Sequence, residues 1–284
     1  MHSLLNIIFI LVISSTFAGA QQFPKVPADM NEYLSDMRTL AASKIQSRSD
    51  WMYIMEAGVL TTQNYKERCL KYDSQGRIKE SDVIDKNGYT QSIIVYRYDT
   101  RNLPIMVTEF LPTGELISKT KYTYDSGGIL KDITWLNNNE FIIKKNVYEI
   151  DQSMKIIIEK QFISPDSAVK TTIFFYTNLD DGFVREEWYY KGEKSLDFKK
   201  LYNRNINNVV ENEEYRNSVG TLTYYLKYNY DLKGHLLESV KLFPNGNKVK
   251  KSDYSFNDAG LITGEIEYNQ SGGIIQYRKY SYDQ

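Results

Sequence analysis

Along most of the chain, apolar and aromatic residues alternate with polar ones in runs of about ten residues, and short turn-forming clusters separate the runs. Strict alternation is the signature of a half-buried strand. The phrases "YRYDTRNLPI", "KYTYDSGGILKD", "KYNYDLKGHLLES" and "YSFNDAGLITGE" each place two aromatics two residues apart in front of an Asp or Asn, then a Gly or Asn three residues on. The second position of that phrase falls at Tyr72, Tyr98, Tyr124, Ile150, Tyr176, Tyr202, Tyr230, Phe256 and Tyr282, in steps of 26 residues with one step of 28. A second turn marker follows 16 residues later in the regular units, at Gly88, Gly114, Glu140, Asp166, Gly192, Gly220, Gly246 and Gly272. This frame puts the two extra residues between Tyr202 and Gly220, within "NRNINN". A fixed period over so much of a chain is the mark of a repeat array.

Each unit carries two turn signals. Asp73-Ser74-Gln75-Gly76 and Asp125-Ser126-Gly127-Gly128 have the Asp-first, Gly-fourth preference of a type I turn. Asn87-Gly88 and Asn245-Gly246 are hairpin dipeptides. One repeat is therefore a β-hairpin, and the predicted fold is all-β: a single long curled antiparallel meander of about eight 26-residue hairpin repeats, some 17 strands in all. At ~4.8 Å per strand a flat sheet of that size would be about 80 Å wide, and open sheets beyond ~10 strands curl or fold over.

Period two also assigns faces. Ile84, Phe110, Leu136, Phe162, Trp188, Leu242 and Tyr268 form one column, Tyr96, Tyr122, Tyr148, Tyr228, Tyr254 and Tyr280 another, and all are even-numbered. Odd positions of the same strands include Lys119, Lys121, Glu187, Lys227, Lys241, Glu265 and Lys279. The expectation is an even face inside and an odd face in water. Ahead of the array, "PADMNEYLSDMRTLAASKIQSRSD" at 27–50 reads as one amphipathic helix, with Met30, Tyr33, Leu34, Met37, Leu40, Ala41 and Ile45 at helical spacing. It is predicted to cap one end of the array.

The phrases resemble the tyrosine–aspartate (YD) repeats of the rearrangement-hot-spot (Rhs) family, whose pattern is Tyr-x-Tyr-Asp-x-x-Gly-Arg-Leu. The resemblance runs from about residue 63 to 284; only Gly76-Arg77-Ile78 keeps the Gly-Arg-aliphatic part, and the phrases near 150, 176 and 202 match weakly. It implies a spiral sheet of hairpins and an exported setting. It implies no catalytic residue, because the motif holds none, and with the sequence ending inside the phrase at Tyr282-Asp283-Gln284 the expectation is a form without a toxin domain.

Composition narrows the function. Residues 1–20 hold an apolar run ending in Ala18-Gly19-Ala20, which reads as a signal peptide. The expected division is 1–20 signal peptide, 21–50 N-terminal segment with the helix, and 51–284 repeat array. Export makes the destination periplasmic, cell-surface or extracellular. No later segment is apolar enough for a membrane-spanning helix. A net charge of −1 argues against nucleic acid as a partner. Cys69 is the only cysteine, so no internal disulfide forms.

Little in the chain points to chemistry. His235 is the single histidine after the signal segment, and "NLDDG" at 178–182 occupies a turn position rather than a calcium loop. The carboxylate pairs Glu186-Glu187, Glu213-Glu214 and Asp180-Asp181 place adjacent residues on opposite strand faces. The reading is of a protein that is not an enzyme and calls for no cofactor or metal. The candidate ligand-binding residues are the odd-numbered aromatics Trp135, Phe141, Phe175, Phe183 and Tyr189, expected as a platform on the water-facing side. The functional expectation is a binding or scaffold module at the bacterial cell envelope, with a glycan or a cell-surface protein as partner. The alternatives are an outer-membrane β-barrel, or a carbohydrate-active enzyme using paired carboxylates.

Overall fold

The computed structural model describes residues 37–56, 59–164, 167–177, 184–207 and 209–284. The signal segment 1–20, the start of the predicted helix, Phe183 and the loop at 178–182 lie outside the described residues. The strands in chain order are β1 (Ser47–Glu56), β2 (Val59–Tyr72), β3 (Ile78–Ile84), β4 (Thr90–Tyr98), β5 (Pro104–Phe110), β6 (Leu116–Tyr124), β7 (Leu130–Asn137), β8 (Ile142–Asp151) and β9 (Ile156–Ser164). They continue as β10 (Ser167–Tyr176), β11 (Val184–Lys191), β12 (Ser195–Arg204), β13 (Val210–Asn217), β14 (Leu222–Tyr230), β15 (Leu236–Leu242), β16 (Lys248–Phe256), β17 (Ile262–Tyr268) and β18 (Ile274–Asp283).

Every strand pairs antiparallel with the next, and β1 pairs with β18 as well as β2, from Ser47 opposite Asp283 to Met52 opposite Arg278. The meander is thus a closed barrel, and the expectation of a curled sheet packing on itself gives way to a ring. At ~4.8 Å per strand and the usual barrel tilt, 18 strands enclose a ring roughly 35 Å across. Side chains cannot fill that width, and the extensive strand contacts are all between ring neighbours.

The recurring Tyr-Asp phrase now has a physical account. The Asp or Asn closes the turn: Oδ1 of Asp73 accepts from the backbone N–H groups of Gln75 (2.9 Å) and Arg77 (3.0 Å), and Asp231 does the same for Lys233 and His235 (2.8 Å each). Asn205 and Asn257 repeat the pattern. The tyrosine ties units together. The hydroxyls of Tyr98, Tyr124, Tyr230 and Tyr282 donate to the carbonyls of Ile78, Pro104, Val210 and Ile262, each 20 residues back, at 2.7–2.9 Å.

The fifth such link corrects the frame. Arg204, not Tyr202, reaches the carbonyl 20 residues back, at Val184 (3.2 Å). Strand register agrees: Tyr148 faces Glu159, Phe174 faces Glu187, and Tyr202 faces Glu213. The first partner advances by 26 from β8 to β10, but the second by 28, so the extra residues lie in the β10–β11 connection and not in "NRNINN". Gly192 hides this because it sits two residues earlier in a shorter turn than its counterparts, between Lys191 and Ser195.

The even-inside rule holds only on alternate strands. In β4, β6, β8 and their later equivalents the even residues face the lumen from Ser92, Ser118 and Lys144 onward, past a bulge at the strand start. In the strand after each Asp-x-x-Gly turn a bulge skips one residue, as where Tyr72 faces Ile78 but Lys71 faces Glu80. The fourth turn residue takes positive φ, for example Gly76 at 76° and Gly128 at 87°, the geometry of a type I turn with a G1 bulge. Side chains beyond the bulge swap faces. In β7, Leu130 and Ile133 are therefore both buried on the inner side, with Trp135 packed beside them.

Of the predicted helix, residues 37–42 are helical. Lys44 adopts φ 54°, Ile45 N–H donates to the Leu40 carbonyl, and the chain turns into β1, so 47–50 is strand where helix was expected. The pull is tertiary: Gln46 N–H donates to Asp283 and its carbonyl accepts from Tyr72 N–H, both at 2.8 Å. Leu40 and Ile45 pack on Leu70, Tyr72, Ile78 and Leu261, covering the inner side of that rim. Gly76 is the contact point. A Cβ there would lie 2.1 Å from the Met37 carbonyl oxygen. Gly76→Ala should therefore displace the helix, read as faster proteolysis between residues 37 and 46 and a lower melting temperature.

Candidate binding lumen

Midway up the inner wall runs a belt of tyrosines, each facing the next strand. Tyr148, Tyr202, Tyr254 and Tyr280 face Glu159, Glu213, Glu265 and Asp50, and Phe174 faces Glu187. These acids are held by donors. Glu159 accepts from Tyr148 (3.0 Å) and Asn146. Glu187 accepts from Tyr189 and Tyr202, and Glu213 pairs with Lys200 (3.1 Å). Asp50 is locked by Arg48 at 2.8 Å, both buried. Burial raises the carboxyls of Glu159 and Glu265 above the usual range, opposed by the tyrosine hydrogen bonds and nearby cations.

That shift has a pH consequence. Folded Glu159 binds its proton more tightly than the unfolded chain does, so its charge costs stability above the raised pKa. The cost fades as pH falls toward the ordinary value of 4.5. Glu159→Gln should therefore be the more stable protein at neutral pH. Urea midpoints measured downward should show the two converging near pH 4.5; a gap that ignores pH would contradict this.

Above the belt, toward the rim opposite the helix, lies an aromatic arc on four successive strands. Tyr189 stacks on Phe198 (4.1 Å), Phe198 lies 6.5 Å from Tyr215, and Tyr215 stacks on Tyr224 (4.2 Å). Lysines bracket it: Lys170 lies 5.2 Å from the Tyr189 ring centre and Lys241 3.7 Å from that of Tyr224. Further round the wall Lys144 stands 4.3 Å over Trp135. Burial lowers the pKa of Lys144 and Lys241, and the second cause in Lys241 is Lys250.

The four predicted residues that are described do not form one platform. Trp135 and Tyr189 face the lumen, because the bulge turns odd positions inward in β7 and β11. Phe175 is on the outer wall, packed on Trp188 at 4.8 Å. Phe141 sits in the β7–β8 turn, 69% exposed. Trp188, expected in the core, lies outside under Lys199 (3.7 Å). The reading of Glu186-Glu187 and Glu213-Glu214 as opposite-facing pairs agrees with the geometry: Glu186 accepts from Trp188 and Glu214 pairs with Arg216, both outside.

Sequence reasoning missed the acidic belt and the inward placement of Lys241, while the even positions Lys144, Lys170 and Lys250 fall on the face it expects inside. A signal existed: Glu159, Glu213 and Glu265 each follow 11 residues after Tyr148, Tyr202 and Tyr254. Among the described residues no group of three His, Cys, Asp or Glu is placed to hold a metal ion, and no helix is long and apolar enough to cross a membrane.

No family model matches the chain, and no curated protein matches it. Among solved structures it is similar to a porin-like protein from Bacteroides uniformis, with 8% identity and TM-score 0.33 over 84% of this chain and 98% of that one. A porin-like protein from Bacteroides vulgatus gives 10% identity and TM-score 0.32 over 84% and 98%. A DUF1329 family protein from Desulfovibrio piger gives 10% and 0.27 over 91% and 94%. Likeness at that level carries no inference about function.

Proposed function

We propose that this chain is an exported, non-enzymatic binding module of the bacterial cell envelope, a YD-type hairpin array closed on itself, whose lumen is the ligand compartment. The observation that carries this is the placement of the aromatic arc and its lysines on the inner wall, at the rim opposite the helix. Concave, aromatic-lined sites with a few polar groups are where ligands bind. The partner is a glycan or a segment of a cell-surface protein able to enter the lumen. Truncating the arc tests this: Tyr215→Ala should abolish capture of envelope glycan or peptide fractions while Trp188→Ala, on the outer wall, should not.

A second reading, an outer-membrane β-barrel, is favoured by the closure of an even number of strands. The outer wall weighs against it. Membrane barrels carry an apolar band about 25 Å tall there. This wall carries ion pairs between neighbouring strands, Lys160 with Glu149 (2.9 Å), Lys145 with Asp132 (3.7 Å) and Lys251 with Glu238 (2.7 Å), and one within β16, Lys251 with Asp253 (3.1 Å). Fractionation separates the readings. Recovery without detergent supports the binding module; retention in washed outer membranes supports the barrel.

A further inference from the structure

The inner wall sorts its charges by height. In the belt nearer the helix, Asp50, Glu159, Glu187 and Glu213 are each met by a tyrosine, asparagine, arginine or lysine donor. At the level of the aromatic arc the order reverses. Lys250 pairs with Glu267, but among the described residues Lys144, Lys170 and Lys241 have no carboxylate within ion-pair distance. Each rests on a ring instead. Lys144 and Lys170 feel the belt carboxylate Glu159 but do not pair with it, and cations grouped on a concave wall focus a positive potential into the space they face.

The rings point to the same sign. Tyr189 against Phe198 and Tyr215 against Tyr224 are nearly parallel, at 14° and 22°. Their faces are therefore occupied by one another and, at the ends, by ammonium groups. What remains for a ligand is ring edges, and the edge of an aromatic ring is its positive side. A wall of edges and ammonium groups is poorly suited to stacking on a neutral sugar face. It is suited to anionic groups. The spacing asks for more than one: Lys144, Lys170 and Lys241 stand on β8, β10 and β15, two and five strands apart, or about 10 and 24 Å along the wall.

We infer that the far half of the lumen binds an extended polyanion, an acidic glycan chain bearing carboxylate or sulfate groups, held by Lys144, Lys170 and Lys241 along the aromatic arc. This rests on the reading of the lumen as the binding compartment and names its ligand class.

The test uses the full chain and four probes: polygalacturonate oligomers, heparin oligosaccharides, neutral dextran oligomers and inorganic polyphosphate. The inner variant is Lys170→Gln/Lys241→Gln. The control is Lys199→Gln/Lys227→Gln, two lysines that also lie near rings, at 3.7 Å from Trp188 and 5.7 Å from Tyr225, but on the outer wall. Among the described residues neither inner lysine has an ion-pair partner to strand; Lys170 does offset part of the cost of the buried Glu159 charge, so a melting curve of each variant confirms that binding is compared between folded proteins. The expected result is salt-sensitive binding of one of the acidic glycans, weakened about tenfold or more per lysine in the inner variant and unchanged in the control. Preference between the first two probes separates carboxylate from sulfate. Equal loss in the control would overturn the inference, since the anion would then sit outside. Dextran binding that Tyr215→Ala abolishes would overturn the polyanion but keep the lumen as the compartment. Polyphosphate binding without glycan binding would overturn the glycan assignment alone. No binding to any probe would overturn the inference, and the capture experiment with envelope fractions then decides the lumen reading separately.

Discussion

Leu130→Ala should cost about 2–5 kcal/mol of stability, and Trp135→Ala roughly 3 kcal/mol, while Trp188→Ala costs only about 1 kcal/mol. Leu130 is 1% exposed and sits in the cluster of Ile133, Tyr148, Ile157, Phe174 and Tyr176, against which Trp135 packs. Truncating either leaves space in a wall where neighbours are fixed by ladder hydrogen bonds and relax little. Trp188 is different. Its ring meets Phe175 and Lys199 on the outer wall, and its indole N–H donates to Glu186 (2.9 Å), a group water can replace. Urea midpoints of the three variants measure the ordering. Equal losses for Trp135→Ala and Trp188→Ala would mean that the two strand faces are not inner and outer as described.

That ordering is the reverse of what period two implies, and the reason is local. The alternation along β6 or β14 reads correctly because the bulge in those strands falls at their start, at Ile117 or Thr223, and leaves Ser118–Tyr124 and Tyr224–Tyr230 in one unbroken period. In β7 or β11 the first inward residue, Leu130 or Val184, is even, and the bulge then moves the inward set to Ile133 and Trp135, or Glu187 and Tyr189. The turn chemistry that causes this was in view, since Asp125 first and Gly128 fourth specify a type I turn whose left-handed fourth residue makes a bulge. Reading the turn without its bulge left the strand periods joined as one continuous alternation. Glu187, Glu265 and Lys241 were hidden by the same step, because all three are odd.

Hairpin architecture, turn positions and the tyrosine columns were legible because each is fixed within one unit. The place of the insertion was not, because Gly192 keeps the 26-residue beat while its turn is shortened, and only the pairing of Phe174 with Glu187 exposes the shift. Closure was not legible either. No residue of β1 announces β18; the seam depends on the summed twist and stagger of all the hairpins between them. The helix end failed for a related reason. Residues 47–50 suit a helix by spacing, but the ladder to Asp283 and Lys71 outweighs that preference.

Removing residues 274–284 should abolish the folded monomer, and this separates a ring from an array. In an open array each unit leans on its neighbours, so loss of a terminal strand removes one interface and leaves the rest standing. In the barrel β18 is the seam: it pairs with β17 through Gly264–Tyr268 and with β1 through Ser47–Met52. Its loss uncovers two long edges at once, and edges of that length template association. It also takes away Tyr280 and Tyr282, whose hydroxyls reach Glu265 (3.3 Å) and the Ile262 carbonyl (2.9 Å), and leaves the buried Arg48–Asp50 pair open to water. Size-exclusion chromatography should show the truncated chain as oligomers or aggregate, and its thermal transition should lose cooperativity. A truncated chain that stays monomeric and melts in a single transition a few degrees lower would mean that the β1–β18 ladder contributes little, and that the protein behaves as a curved array whose ends merely meet.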